Sequence, residues 1–194
     1  MAKLTRDDLL SLEEYAEQRS EFRARVMQHK KNRQVHLGEH VTLYFENRLT
    51  MQYQIQEMLR IEKIFEKDAI QEELDAYNPL IPDANNLKAT FMVEYEDVEE
   101  RKGALAKLIG IEDKVWVQVK GFDKVYAIAD EDLERDNAEK TSSVHFMRFA
   151  LTDDMVTAAR GGEDLAIGVD HANYRFAVDP LARPSRDSLV ADFD

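Results

Sequence analysis

Histidines and carboxylates are the side chains of this sequence with the greatest capacity for chemistry. The 194 residues include five histidines and 39 Asp and Glu residues, but no cysteine. His145 lies in a segment that alternates like a β-strand, and His171 ends another apolar strand. Glu57 would add a carboxylate from a predicted helix. Because two histidines and one carboxylate suit iron or zinc, one hypothesis is a metal site formed by His145, His171 and Glu57.

This metal site requires the two histidine strands to be neighbours. Paired strands lie about 5 Å apart, so imidazoles on one shared face could approach a common ion. The alternative is that His145 and His171 are structural residues, each hydrogen-bonded to backbone or to a carboxylate. Both interpretations remain open, because ligand distances and geometry cannot be read from sequence.

A second polar set lies on the helix predicted for residues 50–65. The same stretch begins with strand-like alternation, but its Gln, Glu, Met, Leu and Arg content favours a helix. If its polar flank packs on a sheet, it becomes a buried polar network; if not, it is a solvated face. Glu94, on a predicted strand, either joins this network or faces water. The candidate network residues are Gln52, Gln56, Arg60 and Glu94.

A basic cluster interrupts an otherwise acidic sequence. The formal net charge is −13, yet no acidic residue occurs between Glu21 and Glu39. Such a run is either a solvated helix face or a docking surface for an acidic partner. A third possibility is docking onto the protein's own acidic half. The candidate docking residues are Arg23, Arg25, Lys30, Lys31 and Arg33.

Composition and motifs exclude several functional classes. A chain without cysteine cannot form disulfides, thiolate zinc sites or cysteine-held iron–sulfur clusters. The sequence contains no dinucleotide fingerprint, no phosphate-binding loop and no G-x-S-x-G or H-E-x-x-H motif. Its acidity argues against broad nucleic-acid binding. No apolar run approaches the ~20 residues of a membrane span, and the N-terminus lacks a signal-peptide core, so we expect a cytoplasmic protein.

The order of predicted elements indicates an α+β fold with a mainly antiparallel or mixed sheet packed against several helices. We expect a single domain over residues 1–194, with a helical part at 1–34, an α+β body at 35–178 and a tail at 179–194. Hydrophobic patterning places eight residues in one core. They are Met58, Phe65, Phe91, Val93, Trp116, Val144, Phe146 and Ile167.

Local signals position several of these elements. The capping box of Ser11 and Glu14 predicts a helix over residues 12–29. Turn residues at Gly38 predict a hairpin, and residues 115–119 and 125–129 predict another. An acidic loop or short helix is expected at 130–140, an extended segment at 78–82, a helix from Thr152 to the glycine pair at 161–162, and a weak amphipathic turn at 189–193.

Three longer segments of the sequence are distinctive: Tyr53-Gln-Ile-Gln-Glu-Met-Leu-Arg60, Ile70-Gln-Glu-Glu-Leu-Asp-Ala-Tyr-Asn-Pro-Leu-Ile-Pro82 and Thr141-Ser-Ser-Val-His-Phe146. They resemble segments of an uncharacterised bacterial family, a "domain of unknown function" family. Residues 4–9 and 168–171 fit as well. The resemblance implies genes that are often adjacent to those of a rubrerythrin-like protein and of an iron–sulfur protein related to heterodisulfide reductase. It supplies no catalytic residues.

Two functional hypotheses follow from the resemblance and the residues together. One is an accessory or partner protein of a bacterial redox or peroxide-defence system, which would contact a rubrerythrin-like or iron–sulfur protein. The other is a metal-binding protein or enzyme with a His/carboxylate site, holding iron or zinc. A homo-oligomer is compatible with either.

Overall fold

The computed structural model describes residues 1–131, 135 and 139–193, and it confirms the α+β class. The loop or helix expected at residues 130–140 therefore lies largely outside the described residues. No helix in the described ranges is both long and apolar enough to cross a membrane. The α-helices of the described part are α1 (Leu12–Lys30), α2 (Arg48–Glu62), α3 (Lys67–Tyr77), α4 (Val98–Lys107), α5 (Asp153–Arg160) and α6 (Arg183–Val190).

The strands are divided between two sheets, and every strand pair is antiparallel. In chain order they are β1 (Gln34–His36), β2 (Val41–Glu46), β3 (Asn86–Val93), β4 (Val115–Val119), β5 (Val125–Tyr126), β6 (Ile128–Ala129), β7 (Val144–Ala150), β8 (Leu165–His171) and β9 (Tyr174–Val178). One sheet has the order β1-β2-β3-β7-β6, and we call it the first sheet. The second sheet has the order β5-β4-β8-β9.

The chain passes from one sheet to the other inside the second predicted hairpin. β5 pairs with β4 as expected, but β6 pairs with β7 in the first sheet. Ala127 stands between them, and its N–H still donates to Val115 O at 2.8 Å. The single strand predicted for residues 125–129 is therefore two short strands that join the sheets.

The inner faces of both sheets share one apolar cluster. Phe91 and Val93 of the first sheet belong to it, together with Ile167 of the second, so their predicted burial is confirmed. Val144 and Phe146 are only half-buried, because β7 turns the alternate residues inward. A strand exposes successive side chains to opposite faces, and here Met147 faces the core.

Trp116 is buried as predicted, but on the outer face of the second sheet. Its ring lies against Gly168 of β8, where an added Cβ would overlap the indole. Lys124 Nζ lies 4.0 Å from a Trp116 ring centroid, which is a cation–π distance. The glycine is required here for close packing of strand and ring.

The buried face of α2 agrees in part with the face predicted from helical spacing, which grouped Met51 and Ile55 with Met58 and Phe65. Met51, Ile55 and Leu59 point inward, whereas Met58 is half-buried and Phe65 is 70% exposed. Phe65 lies beyond the helix, because α2 ends at Glu62. The α2 apolar face packs with α3 and the N-terminal segment in a second, smaller cluster.

The predicted helix caps agree with the structure better than the predicted buried faces do. Ser11 and Glu14 form the predicted capping box of α1, and Thr152 Oγ1 accepts from Met155 N at the start of α5. Asn47 caps α2, so that helix begins two residues before the predicted start. Tyr15, Phe22, Val26 and Tyr53 form a third cluster between α1 and α2.

The last part of the chain is more ordered than the sequence suggests. In place of a weak amphipathic turn, α6 covers Arg183–Val190, and Leu189 and Phe193 join the main apolar cluster. Residues 78–80 form a 3-10 turn instead of an extended segment, since Ile81 N donates to Asn78 O at 3.1 Å.

Candidate functional site

His145 lies at the centre of a buried hydrogen-bonded cluster. Its ring is fully buried on β7, and Nδ1 lies 2.5 Å from Asp130 Oδ2. Nε2 lies 2.9 Å from Thr141 Oγ1 and 3.1 Å from the carbonyl oxygen of Ser142. Glu112 Oε2 is 3.7 Å from Nε2 and accepts from Thr141 Oγ1 at 3.2 Å.

The Asp130–His145–Thr141 arrangement has the order of a carboxylate, imidazole and hydroxyl relay. A relay of this kind acts on a substrate only if the hydroxyl can reach it. Thr141 is 1% exposed, so its hydroxyl instead holds the chain in place. One imidazole therefore connects Asp130, where the chain leaves β6, to Thr141 and Ser142, which precede β7.

His171 is a structural residue in the second sheet. Its Nε2 lies 3.1 Å from Ile109 O, and its Nδ1 accepts from Asn173 N at 3.2 Å. A nitrogen that faces a carbonyl must donate, and one that faces an N–H must accept, so the ring carries its proton on Nε2. Asn173 Nδ2 donates to Lys107 O at 2.7 Å, which ties the β8–β9 turn to the end of α4.

Glu57 faces α1 rather than a sheet. Arg19 binds its two oxygens at 2.7 and 2.9 Å, and Tyr15 OH donates at 2.7 Å. The hydrogen bonds from Arg19 lower the pKa of Glu57 to about 2, although partial burial opposes the shift. Burial beside this carboxylate raises the pKa of Tyr15. Arg60, at i+3 on the same helix, lies farther away, with its Nη2 3.6 Å from Glu57 Oε2.

The structure therefore does not bring the predicted metal ligands together. β7 and β8 belong to different sheets, so the condition that His145 and His171 lie on paired strands is not met. Glu57 is on α2, where Arg19 and Tyr15 occupy its oxygens. Within residues 1–131, 135 and 139–193, no group of three or more His, Cys, Asp or Glu side chains is placed to hold a metal ion.

The predicted polar network divides in the same way. Gln56 is fully buried; its Oε1 accepts from Leu10 N at 2.6 Å and its Nε2 donates to Leu10 O at 3.3 Å. Gln52 Nε2 donates to Asp8 O at 2.6 Å. These two amides fasten the N-terminal segment to α2. Arg60 is exposed, and Glu94 lies elsewhere, accepting from Thr42 Oγ1 at 2.8 Å.

Arg33 is a correction to the predicted docking set. It is 1% exposed and pairs with Asp192, which is 2% exposed. Its guanidinium also donates to Phe45 O at 3.0 Å, Glu46 O at 3.2 Å and Ser188 O at 2.9 Å. Burial raises the pKa of Asp192, and Arg33 opposes that shift. Arg33 thus joins the segment after α1 to β2 and to the α6 region, instead of facing a partner.

The other four basic residues lie around the C-terminal end of α1: Arg23 and Arg25 are on opposite sides of the helix, and Lys31 immediately follows it. Arg23, Arg25 and Lys31 are exposed, and Lys30 is half-buried. Arg25 lies 4.8 Å over the Phe22 ring and Lys30 5.8 Å over the Tyr53 ring. We call these four residues the basic face. None of them makes an ion pair with another residue of the described chain.

An acidic groove of about 720 Å³ is the feature that sequence reasoning missed. The His40 and Tyr95 rings stack in it at 3.8 Å with an interplanar angle of 12°. The high density of acidic residues at 94–100 was the sequence signal for this groove. The sequence did not show that the β1–β2 turn brings His40 next to these residues, because that is a tertiary contact. Four glutamates line the groove: Glu39, Glu94, Glu96 and Glu100.

Comparisons with known proteins identify the chain's relatives without assigning chemistry. A family model described as "Protein of unknown function (DUF3501)" matches residues 3–193. A crystal structure at 1.90 Å of a "novel protein of unknown function" from Burkholderia pseudomallei has 53% sequence identity and a TM-score of 0.94, and the match covers 100% of both chains. No curated protein matches the sequence.

Proposed function

Because the chain belongs to the DUF3501 family, a family described only as proteins of unknown function, we propose its function from its own surfaces. It is an accessory or partner protein that docks an acidic protein through the basic face of α1. The partner class is the one that the sequence resemblance implies, a rubrerythrin-like or iron–sulfur protein of a bacterial redox or peroxide-defence system. The proposal places this assembly in the cytoplasm.

The observation that carries the proposal is that the basic face forms no ion pair within residues 1–131, 135 and 139–193. The chain has 39 acidic residues against 26 Lys and Arg residues, so a cation has many possible partners within the molecule. Arg19, about one turn before Arg23 on α1, is paired with Glu57, whereas Arg23, Arg25 and Lys31 face solvent. Complementary charge across an interface steers association and sets specificity, which suits an acidic partner.

Two further features support an accessory role. A cysteine-free chain cannot hold an iron–sulfur cluster through thiolates, so any cluster chemistry would come from the partner. The titratable groups that the sequence suggested for chemistry serve to connect elements: Glu57 joins α1 to α2, and His171 joins β8 to the turn after α4. The metal-binding alternative is not carried forward, because its three ligands have separate partners.

The test is binding between the purified protein and the rubrerythrin-like and iron–sulfur proteins encoded near it in its own genome. Calorimetric titrations at several ionic strengths should show affinity falling steeply with salt, since exposed charges are screened over about 10 Å at 0.1 M. The double variant Arg25→Glu/Lys31→Glu should weaken the complex at least about tenfold, equivalent to about 1.4 kcal/mol.

The matched control is Lys114→Glu/Arg175→Glu, which reverses two exposed cations that form no ion pair within the described residues. It has the same change in net charge and should leave affinity within about twofold of wild type, a difference well below 1 kcal/mol. All variants must keep the wild-type melting temperature. Equal affinities for the two double variants would remove the basic face from the interface.

A further inference from the structure

The most exposed large apolar side chain of the described part lies at the turn between α2 and α3. Phe65 is 70% exposed there, and Ile61 of α2 is 58% exposed. Next to Phe65 is a groove of about 430 Å³. Its apolar lining comes from the N-terminal segment and the α2–α3 turn: Leu10, Leu12, Ile64, Phe65 and Ile70.

The backbone holds Phe65 in this outward position. Lys63 has a left-handed φ of 54° after the last residue of α2, and Ile64 N donates to Leu59 O at 2.9 Å. A left-handed residue followed by this hydrogen bond is a common way for an α-helix to end. Ile64 then packs against the α2–α3 cluster, so the next side chain, Phe65, is directed to solvent.

Charges of both signs surround this apolar feature. All are exposed, and none forms an ion pair within the described part of the chain. A partner surface of one sign would meet like charges at some of these positions. The residues are Glu13, Glu62, Lys63, Glu66, Lys67 and Asp68.

We propose that this face binds a second copy of the chain across a two-fold axis, with Phe65 of each copy seated in the groove of the other. In an isologous contact both subunits use the same surface patch. The projecting side chain of each subunit can therefore enter the groove of the other. Lys63 and Lys67 of one copy can then face Glu62 and Glu66 of the other, which matches four of the six charges on each face. This charge pattern is the reason for choosing a second copy over an acidic or basic partner.

The dimer contact and the basic face are at opposite ends of α1. Glu13 is twelve residues before Arg25, which corresponds to about 18 Å at 1.5 Å per residue. Self-association would therefore leave the basic face accessible, and this inference does not depend on the proposed docking function.

Sedimentation velocity over a concentration series tests the dimer directly. Wild type should show a concentration-dependent dimer, and Phe65→Ser should raise its dissociation constant at least about tenfold. Val98→Ser removes another exposed apolar side chain, 49% exposed on α4, and should leave the dimer unchanged. The melting temperature of each diluted monomer should match, because both side chains are largely exposed.

A charge-reversal pair sharpens the assignment. Lys63→Glu/Lys67→Glu makes the face wholly acidic, and Glu62→Lys/Glu66→Lys makes it predominantly basic. Each variant alone should dimerise more weakly than wild type, and an equimolar mixture should form mixed dimers. A monomeric wild type up to about 100 µM, a dimer retained by Phe65→Ser, or no mixed dimer would each overturn the proposal.

The absence of cysteine provides an independent readout. Glu66→Cys places one thiol beside Phe65, and a short thiol-to-thiol crosslinker should capture a covalent dimer in dilute solution. Lys102→Cys on α4 is the control with an equally exposed position and should remain monomeric. Equal crosslinking of the two variants would contradict the two-fold contact at the α2–α3 turn.

Discussion

The helices α1–α3 and the two sheets are stabilised in different ways. The sheets share one continuous apolar cluster to which α4, α5 and α6 contribute. The helices α1–α3 have two small clusters and depend on polar side chains that reach backbone or other helices, such as Gln56 to Leu10 and Asn78 to Leu4. Where little apolar surface is available, specific hydrogen bonds determine how the elements fit together.

This difference explains why the most chemically suggestive side chains have structural partners. Glu57 and Gln56 lie among the helices, where they substitute for apolar contact. Between the helices and the sheets, Arg33 and Asp192 form the joint. A buried ion pair fixes one geometry, because an unpaired charge in the same place would be strongly unfavourable.

The largest effect is expected at that joint. Arg33→Met should lower the free energy of unfolding by about 3–5 kcal/mol, because Asp192 would remain buried without its partner. The measurement is urea unfolding followed by circular dichroism. Arg33→Met/Asp192→Leu should recover much of the loss, since apolar replacement of a buried pair is often tolerated. If the double variant is no more stable than the single one, the pair is not the cause.

The next effect separates the two faces of α2. Ile55→Ala should cost about 2–5 kcal/mol, because Ile55 is fully buried in the α2–α3 cluster. Met58→Ala should cost clearly less, because Met58, which the sequence placed in the core, is half-buried. Chemical denaturation of the two variants compares them directly, and a larger loss for Met58→Ala would contradict the observed helix face.

A smaller effect tests the polar attachment of the N-terminal segment. Gln56→Ala should cost about 1–3 kcal/mol, because both backbone groups of Leu10 lose their partner. Hydrogen exchange should show faster exchange at the Leu10 amide. Gln71→Ala removes an exposed amide on α3 and should change stability by less than about 0.5 kcal/mol. An unchanged Leu10 exchange rate would mean that the segment is held by its apolar contacts alone.

The smallest effect is pH-dependent and belongs to Glu57. Its pKa in the folded protein is about 2, against an ordinary value of 4.5. A lowered carboxyl pKa stabilises the fold above about pH 4.5, and this contribution is lost as the pH falls toward 2. Because Arg19 is one-third exposed, we expect Glu57→Gln to cost only about 1–2 kcal/mol at neutral pH.

The direction of the pH dependence that Glu57 contributes to stability can be tested with a control variant. The stability difference between wild type and Glu57→Gln should shrink as pH falls from about 5 to about 2. Glu72→Gln, an exposed carboxylate on α3, should show no such convergence. A difference that stays constant across this range would show that the Arg19 pair does not stabilise the fold.

Local signals were readable from the sequence, whereas signals that depend on pairing were not. The capping residues Ser11 and Thr152 marked helix starts, because a cap acts on backbone only a few residues away. β7 could have turned either face inward, since Val144 and Phe146 are as apolar as Met147. Its buried face was decided by pairing with β3, at a distance of more than fifty residues.

The same reason explains why Arg33 and the pair of His145 and His171 lie elsewhere than the sequence suggested. In the sequence, Arg33 is one of several cations in a basic run. Its partner Asp192 is 159 residues away and becomes its neighbour only because α6 packs near β2 in the fold. The proposed meeting of His145 and His171 required adjacent strands, but the chain passes through α5 between β7 and β8, and these strands belong to different sheets. Sequence spacing places residues on an element, but it does not say which elements are neighbours.

The packing of Trp116 on Gly168 makes tryptophan fluorescence a probe of the second sheet. Trp116 is the sole tryptophan of the sequence, and it lies in the second sheet, away from α1–α3. Its fluorescence therefore follows unfolding of the sheets, whereas far-ultraviolet circular dichroism mainly follows unfolding of the helices. If residues 1–194 form the single domain that we propose, the two signals should follow one unfolding curve. Two separate curves would mean that the helices melt away from an intact pair of sheets.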